Sequence, residues 1–301
     1  PDSKIKVRVV GGQNNDTYNI DEKSRKVHTY DFRAKKNTYD QAYGGTVHKL
    51  NDYDTNTYVF EKVKASNNQL LPAFGFNPDD GVIIGLTNTY IYNGFRQNPF
   101  TQKHTLNAGF YFATSGFDLG YNGEFAHLFE NVNLEIDARF TSPNFSINFF
   151  GFGNETEHND DTEALELDFN RVRIQTIKFK PSLVWRGRLG AKLRLGVSYE
   201  NYNVEETEGR LIEGFFTDAG RDAQQDFFGV DAEYDYSNTD NEAFSTLGRN
   251  FNLRGGFTMN ASDTDRAFAY IIPSLSVDHK LTANGRLVLA TKIKGHVNFG
   301  D

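Results

Sequence analysis

The chain has 301 residues, a net charge of −8, 38% hydrophobic residues, 27 Phe, 15 Tyr and 27 Gly, and no cysteine. No stretch reaches the roughly 20 consecutive apolar residues that a membrane-spanning helix requires, so a helical membrane protein is excluded. The missing cysteine excludes a disulfide framework and a thiolate metal site, and the acidic balance without a basic stripe argues against nucleic acid as a partner.

Residues 1 to about 80 are polar and rich in Asn, Asp, Tyr and Lys, with short β-like runs at IKVRVV (5–10), KVHTYDF (26–32) and NTYVFEKV (56–63). They read as a small periplasmic β region or linker. The segment GGQNNDTYN (11–19) partly matches the calcium-binding nonapeptide GGxGxDxUx. Asn14 stands where that pattern has Gly, and a single copy cannot stack into a roll, so a Gly-Gly turn followed by a strand is the reading adopted.

From Gly81 a two-residue alternation takes over. Val132, Leu134, Ile136, Ala138 and Phe140 share one face against Asn133, Glu135, Asp137, Arg139 and Thr141. Side chains of a strand point alternately to opposite faces, so repetition of this pattern predicts a large antiparallel sheet with one apolar surface. The predicted strands are 82–93, 104–114, 117–129, 131–141, 145–153, 165–185, 188–203, 224–237, 246–260, 266–281 and 285–299, each near or above the roughly 10 residues a tilted strand needs to cross a bilayer. The sixth breaks step, Val172 and Ile174 being even and Ile177, Phe179, Leu183 and Trp185 odd, which predicts a bulge near Gln175 and Thr176. Pro181 and Pro273 fall inside strands, where a missing donor is tolerated at bulges or edges.

Ser115-Gly116, Ser142-Pro143-Asn144, Arg186-Gly187-Arg188 and Thr282-Ala283-Asn284-Gly285 read as tight turns, and 94–103, 154–164 and 204–223 as longer links. Short links on one side and mostly longer ones on the other fit a bacterial outer-membrane barrel. The short links near 130 and 261–265 and the long one near 238–245 depart from that sorting. About eleven strands place Asp301 on the outer side, whereas single-chain bacterial barrels have even strand numbers, so further strands are expected after Asp301.

Charge in lipid costs roughly 2–4 kcal/mol per residue at the midplane, so Arg139, Lys178, Lys180, Lys192, Arg194, Lys292 and Lys294 are assigned to a hydrated lumen. Tyr90, Tyr92, Phe129, Phe140, Phe145, Trp185, Tyr199 and Tyr236 lie near strand ends, as interfacial aromatics do. The seven histidines lack zinc-site spacing, and the acidic run at 154–168 lacks EF-hand spacing; a solvated loop is the reading for the latter. No catalytic, metal or cofactor-binding residue is assigned.

The segment NPDDGVIIGLTNTYIYNGFRQNPFTQKHTLNAGFYFATSGFDLGYNGEF (77–125) resembles the opening strands of barrels of the bacterial surface antigen D15, or Omp85, superfamily in Bacteroidota. The resemblance rests on Asp79-Asp80-Gly81 before an apolar strand, on Gly94-Phe95-Arg96 and Pro99-Phe100, and on the strand from His104, and it extends more loosely to LVLATKIKGHVNFGD (287–301). It implies an all-β transmembrane antiparallel barrel, with about eleven of a family total of sixteen strands in residues 81–301, located in the bacterial outer membrane. The family's Arg-Gly-aromatic loop would follow the eleventh strand, just after Asp301.

The implied function is insertion or translocation of outer-membrane proteins or lipid. Implied partners are outer-membrane lipid, lipopolysaccharide and other envelope proteins. A lateral seam formed by Val82, Ile84, Gly85 and Leu86 would template incoming strands. Some similar proteins carry an upstream calcineurin-like metallophosphoesterase, whose metal motifs are absent from residues 1–80. A membrane anchor for such an enzyme, a porin-like channel and a soluble sandwich are the alternatives.

Overall fold

A computed structural model describes residues 5–20, 25–40, 44–57, 64–77, 80–96, 99–129, 131–151, 169–187, 190–241 and 243–300. Of the β-like run at 56–63, residues 58–63 lie outside these residues, as does the acidic run at 154–168. The chain divides into two compact units, one made of Pro1–Asn67, Ile91–Lys103 and Phe125–Asn131, the other of the remaining sheet.

The first unit is a parallel coil. β1 (Val7–Val10), β3 (Val27–Phe32) and β5 (Thr46–Leu50) pair in parallel, as do β2 (Thr17–Tyr18) and β4 (Thr38–Tyr39), with a single helical turn, α1 (Tyr53–Asn56), after β5. Its basis is an internal repeat that the sequence reading missed: Asp16-Thr17-Tyr18, Asn37-Thr38-Tyr39 and Asn56-Thr57-Tyr58. In the first two copies Thr17 and Tyr18 pair with Thr38 and Tyr39, the tyrosine rings stack at 5.2 Å, and the Asp16 N–H donates to Asn37 Oδ1. The Gly-Gly turn between β1 and β2 is present. A Cβ at Gly11 would lie 2.0 Å from the Tyr18 hydroxyl, which itself donates to the buried Asp31.

Thirteen strands form the large antiparallel sheet. In spatial sequence they are β6 (Asn67–Asn77), β7 (Gly81–Tyr92), β8 (Gln102–Tyr111), β9 (Gly116–Phe129), β10 (Val132–Thr141), β12 (Arg171–Arg186), β13 (Ala191–Glu205), β14 (Gln224–Thr239), β15 (Gly248–Asn260), β16 (Ala267–Lys280) and β17 (Val288–Lys294). β11 (Ser146–Asn148) lies alongside β12, and β18 (Val297–Phe299) alongside β16.

Two differences from the predicted strand list offset each other. The sheet begins one strand early, with β6, where Pro72, Ala73 and Gly75 weaken the strand signal. The predicted strand at 145–153 has no position of its own, because β10 and β11 run in the same direction beside the same partner, β12. Ser142-Pro143-Asn144 is therefore an interruption within one strand and not a hairpin.

The predicted bulge sits across the ladder from its expected place. β12 and β13 stay in one register from Arg173↔Glu205 to Arg186↔Lys192, so Val172 and Ile174 remain on the face of Lys178 and Lys180. The neighbouring strand carries the extra residues: between Phe140↔Ile177 and Ser146↔Arg173 it advances six positions while β12 advances four. Thr141 closes the gap, its buried hydroxyl accepting from the Thr176 N–H at 2.7 Å and donating to the Ile174 carbonyl at 3.1 Å.

Removing one predicted hairpin also re-sorts the links. Strand direction now places the β7–β8 link at the opposite end from the links before β12 and between β13 and β14. The β13–β14 link packs back on the start of β12: Leu211 N–H donates to the Phe169 carbonyl, Arg210 to the Arg171 carbonyl, and Phe215 meets Phe149 edge-on.

Each proline marks a gap in pairing. The β12–β13 ladder skips Lys180 and Pro181. Pro273 accepts from the Gly295 N–H and offers nothing back, and there β17 gives way to β18. Pro72 lies on the edge strand β6.

Two outcomes follow from these contacts. Thr141→Val strands the buried Thr176 N–H and should cost about 1–3 kcal/mol in urea unfolding of the detergent-solubilised protein, whereas Thr141→Ser should be close to neutral. In the first unit, His28 Nδ1 and His48 Nε2 lie 3.0 Å apart. Burial, then Lys6 and Arg8, hold His28 below its ordinary value; burial, then His28, Lys6 and Arg96, do the same for His48. The unfolded chain therefore takes up protons first, so stability present above about pH 6.5 is lost progressively as the pH falls below it. Hydrogen-exchange protection of the Thr29 and Tyr30 amides should drop between about pH 7.5 and 5.5, with a smaller drop in His48→Gln.

Candidate functional site

The two faces of the large sheet differ in chemistry along every long strand. Val82, Ile84 and Leu86 on β7, Leu193, Leu195 and Val197 on β13, Phe228 and Val230 on β14, and Leu253 and Phe257 on β15 are exposed on one face. The other face carries the charges, which are joined to one another across strands.

The centre of that face is an ion network spanning β10 to β15. Lys180 Nζ is 2.6 Å from Asp231 Oδ1, and both side chains are only 6% exposed. Arg194 pairs with Glu233 and lies 3.5 Å from Glu135 and 3.9 Å from Asp231, while Lys192 reaches Glu135 at 3.9 Å. Arg254 approaches Asp231 at 3.9 Å, and Asn252 donates to both Glu233 and Asp235. A glycine makes the central pair possible. A Cβ at Gly196 would lie 3.0 Å from both the Lys180 Cε and Asp231 Oδ1 and 2.6 Å from Ser182 Oγ, so only hydrogen there lets the pair lie flat on the strand.

Two smaller groups continue the pattern. Glu124 accepts from Arg186 and Asn133, and Arg139 forks onto Asp118 through Nε at 3.1 Å and Nη2 at 2.8 Å. Arg139 also lies over the ring of Phe145, which packs edge-on against Tyr111. Phe145 thus turns to the polar face and is not an interfacial aromatic. Beside this group a concavity of about 560 Å³ is lined by Gly85, Gly109, Gly120, Asp137, Arg139 and Lys178, among others.

All the cations assigned to the lumen from sequence share this polar face. Arg139, Lys178, Lys192 and Arg194 are paired with Asp118, Glu200, Glu135 and Glu233. Lys292 and Lys294 lie exposed on β17, in register with Ser276 and Ser274. The sequence reading missed the acidic partners and Arg254, although Glu135, Asp231, Glu233 and Asp235 follow the same alternation as the cations.

The strand expected to form a seam lies inside the sheet. β7 is hydrogen-bonded to β6 on one side and β8 on the other, so Val82, Ile84, Gly85 and Leu86 do not form a free edge. Among the described residues the sheet path ends at β17 on one side and at β6 on the other, and in β6 Phe74 is 78% and Phe76 73% exposed. Gly85 lies against Ala73 of that strand. Among the described residues no group of three or more His, Asp or Glu side chains could hold a metal ion.

The fold has a counterpart among solved structures. BamA from Haemophilus ducreyi lacking POTRA domains 1–3 superposes with a TM-score of 0.55 at 12% sequence identity, covering 79% of this chain and 42% of that one. The chain therefore spans less than half the length of the structure it matches, and its sheet has the fold of that structure's β-barrel wall. No protein-family model and no curated protein matches the sequence.

The ion network can be tested directly. Lys180→Met leaves Asp231 buried without its cation and should destabilise the barrel by about 3–5 kcal/mol, while Lys180→Met combined with Asp231→Leu should recover most of that loss. Urea titration followed by heat-modifiable migration on gels reads both.

Proposed function

We propose that the chain forms part of an Omp85-type barrel in the bacterial outer membrane that inserts or translocates outer-membrane proteins, with β6 as one side of its lateral seam. The observation that carries this reading is the sheet order, which leaves β6 as an edge beside a wall similar to that of BamA. An edge strand presents unpaired N–H and C=O groups to which an incoming strand can add by β-augmentation. Pro72 removes one donor from β6, and the small Ala73 and Gly75 give it little side-chain packing, so its pairing is easily exchanged.

The membrane placement follows from the two faces. Outward Leu, Ile, Val and Phe side chains meet lipid and lipopolysaccharide acyl chains, and the paired charges stay in the hydrated lumen. Tyr90, Tyr92, Trp185 and Tyr236 occupy strand ends on the same side of the sheet, where an aromatic girdle belongs. That end of the strands is the periplasmic side in this reading. A porin-like channel is the weaker alternative, because the network of β10 to β15 ties its charges to one another and leaves few to an ion pathway.

A photoreactive amino acid in place of Phe74, introduced into the complete protein in growing cells, should crosslink to precursor outer-membrane proteins. The same substitution at Phe257, in the middle of the sheet, should give lipid adducts only. Equal or absent protein adducts at the two positions would remove the seam assignment.

A further inference from the structure

The N-terminal unit gathers positive charge on one face of its parallel sheet. Arg8 of β1 is the register partner of His28 of β3, and Tyr30 of β3 is the partner of His48 of β5. The two imidazoles stack at 5.3 Å, with His28 Nδ1 3.0 Å from His48 Nε2, and the Tyr30 ring stacks on His48 at 4.5 Å. Phe95 packs against Tyr30 at 4.5 Å and lies under the Arg8 guanidinium at 5.0 Å. Lys6 acts on both imidazoles and Arg96 on His48. Five groups that carry or can acquire positive charge therefore surround one aromatic platform.

Few acids face them. Asp52 lies 3.7 Å from Arg96. Asp31 points to the opposite face of β3, where it is fully buried and accepts from Tyr18. Among the described residues, neither Lys6 nor Arg8 has a carboxylate within ion-pair distance, and both side chains are exposed. This concentration of like charge is self-repelling, and an anion is the partner that would relieve it.

We propose that Lys6, Arg8, His28 and His48 form a binding site for a phosphate group, carried either by a phospholipid headgroup or by a soluble phosphate ester. A guanidinium presents a planar fork that matches phosphate oxygens, an ammonium adds a point charge, and imidazolium N–H groups donate charge-assisted hydrogen bonds. The site lies within one unit and does not depend on the membrane reading. It also makes binding pH-dependent. Lys6, Arg8 and Arg96 disfavour protonation of the imidazoles, Asp52 lies 3.7 Å from Arg96, and a bound anion reverses that field. Phosphate and protons should therefore bind together, more tightly as the pH falls.

The test uses the whole chain in a phosphate-free, non-ionic detergent, with two probes: inorganic phosphate and dihexanoyl phosphatidylglycerol below its micelle concentration. Calorimetry gives affinity, and imidazole NMR follows His28 and His48. The expected result is binding about tenfold tighter at pH 6 than at pH 8, an upward shift of both imidazole titrations, and a loss of about tenfold or more in the Lys6→Gln, Arg8→Gln double variant. Both substitutions are on exposed side chains, so retained His28–His48 resonances verify that the unit is folded. Phosphate binding without lipid binding identifies a soluble ester as the source, and lipid binding at equal or higher affinity identifies a headgroup. Failure of both probes at pH 6, or affinity unchanged in the double variant, overturns the site.

Discussion

A barrel wall is one residue thick, so a charge on its polar face has no hydrophobic layer behind it and must be satisfied by neighbours on the same face. The buried pair of Lys180 and Asp231 shows what that demands. A buried charge pair returns its desolvation cost only with good geometry and further partners. Here Arg194, Glu135, Glu233 and Arg254 surround the pair, and Gly196 leaves room for it to lie against the strand. The network joins five consecutive strand positions in the sheet. It helps to fix their register, because a slip of one residue would turn its members toward the apolar face.

The same logic explains where irregularity is tolerated. Pro181 interrupts the ladder beside Lys180, and the extra residues between β10 and β11 stand opposite the next stretch of β12. Thr141 supplies from its side chain the hydrogen bonds that the backbone loses there. At the edge the rule relaxes. Pro72 and Gly75 sit in β6, a strand held from one side.

The N-terminal coil is built on a different principle. Its rungs stack in parallel through side-chain ladders, Tyr18 on Tyr39 and Asp16 against Asn37, and the Tyr18 hydroxyl donates to the buried Asp31. Stacked rungs also align residues of one face, and this brings Arg8, His28 and His48 together.

The sequence by itself determined the all-β class, the two-faced strands and the face taken by each strand cation, because a period of two is a property of the single strand and is written in consecutive residues. Arg139, Lys178, Lys192 and Arg194 lie on the polar face for that reason. The tertiary structure alone decided which strands are neighbours. It showed that β11 continues β10, that β6 and not β7 is the edge, that the irregularity near Gln175 belongs to the strand opposite, and that Glu135, Asp231 and Glu233 receive the cations. Those outcomes depend on pairing between segments distant in the chain, and the free energy that selects a pairing comes from side chains on both partners at once.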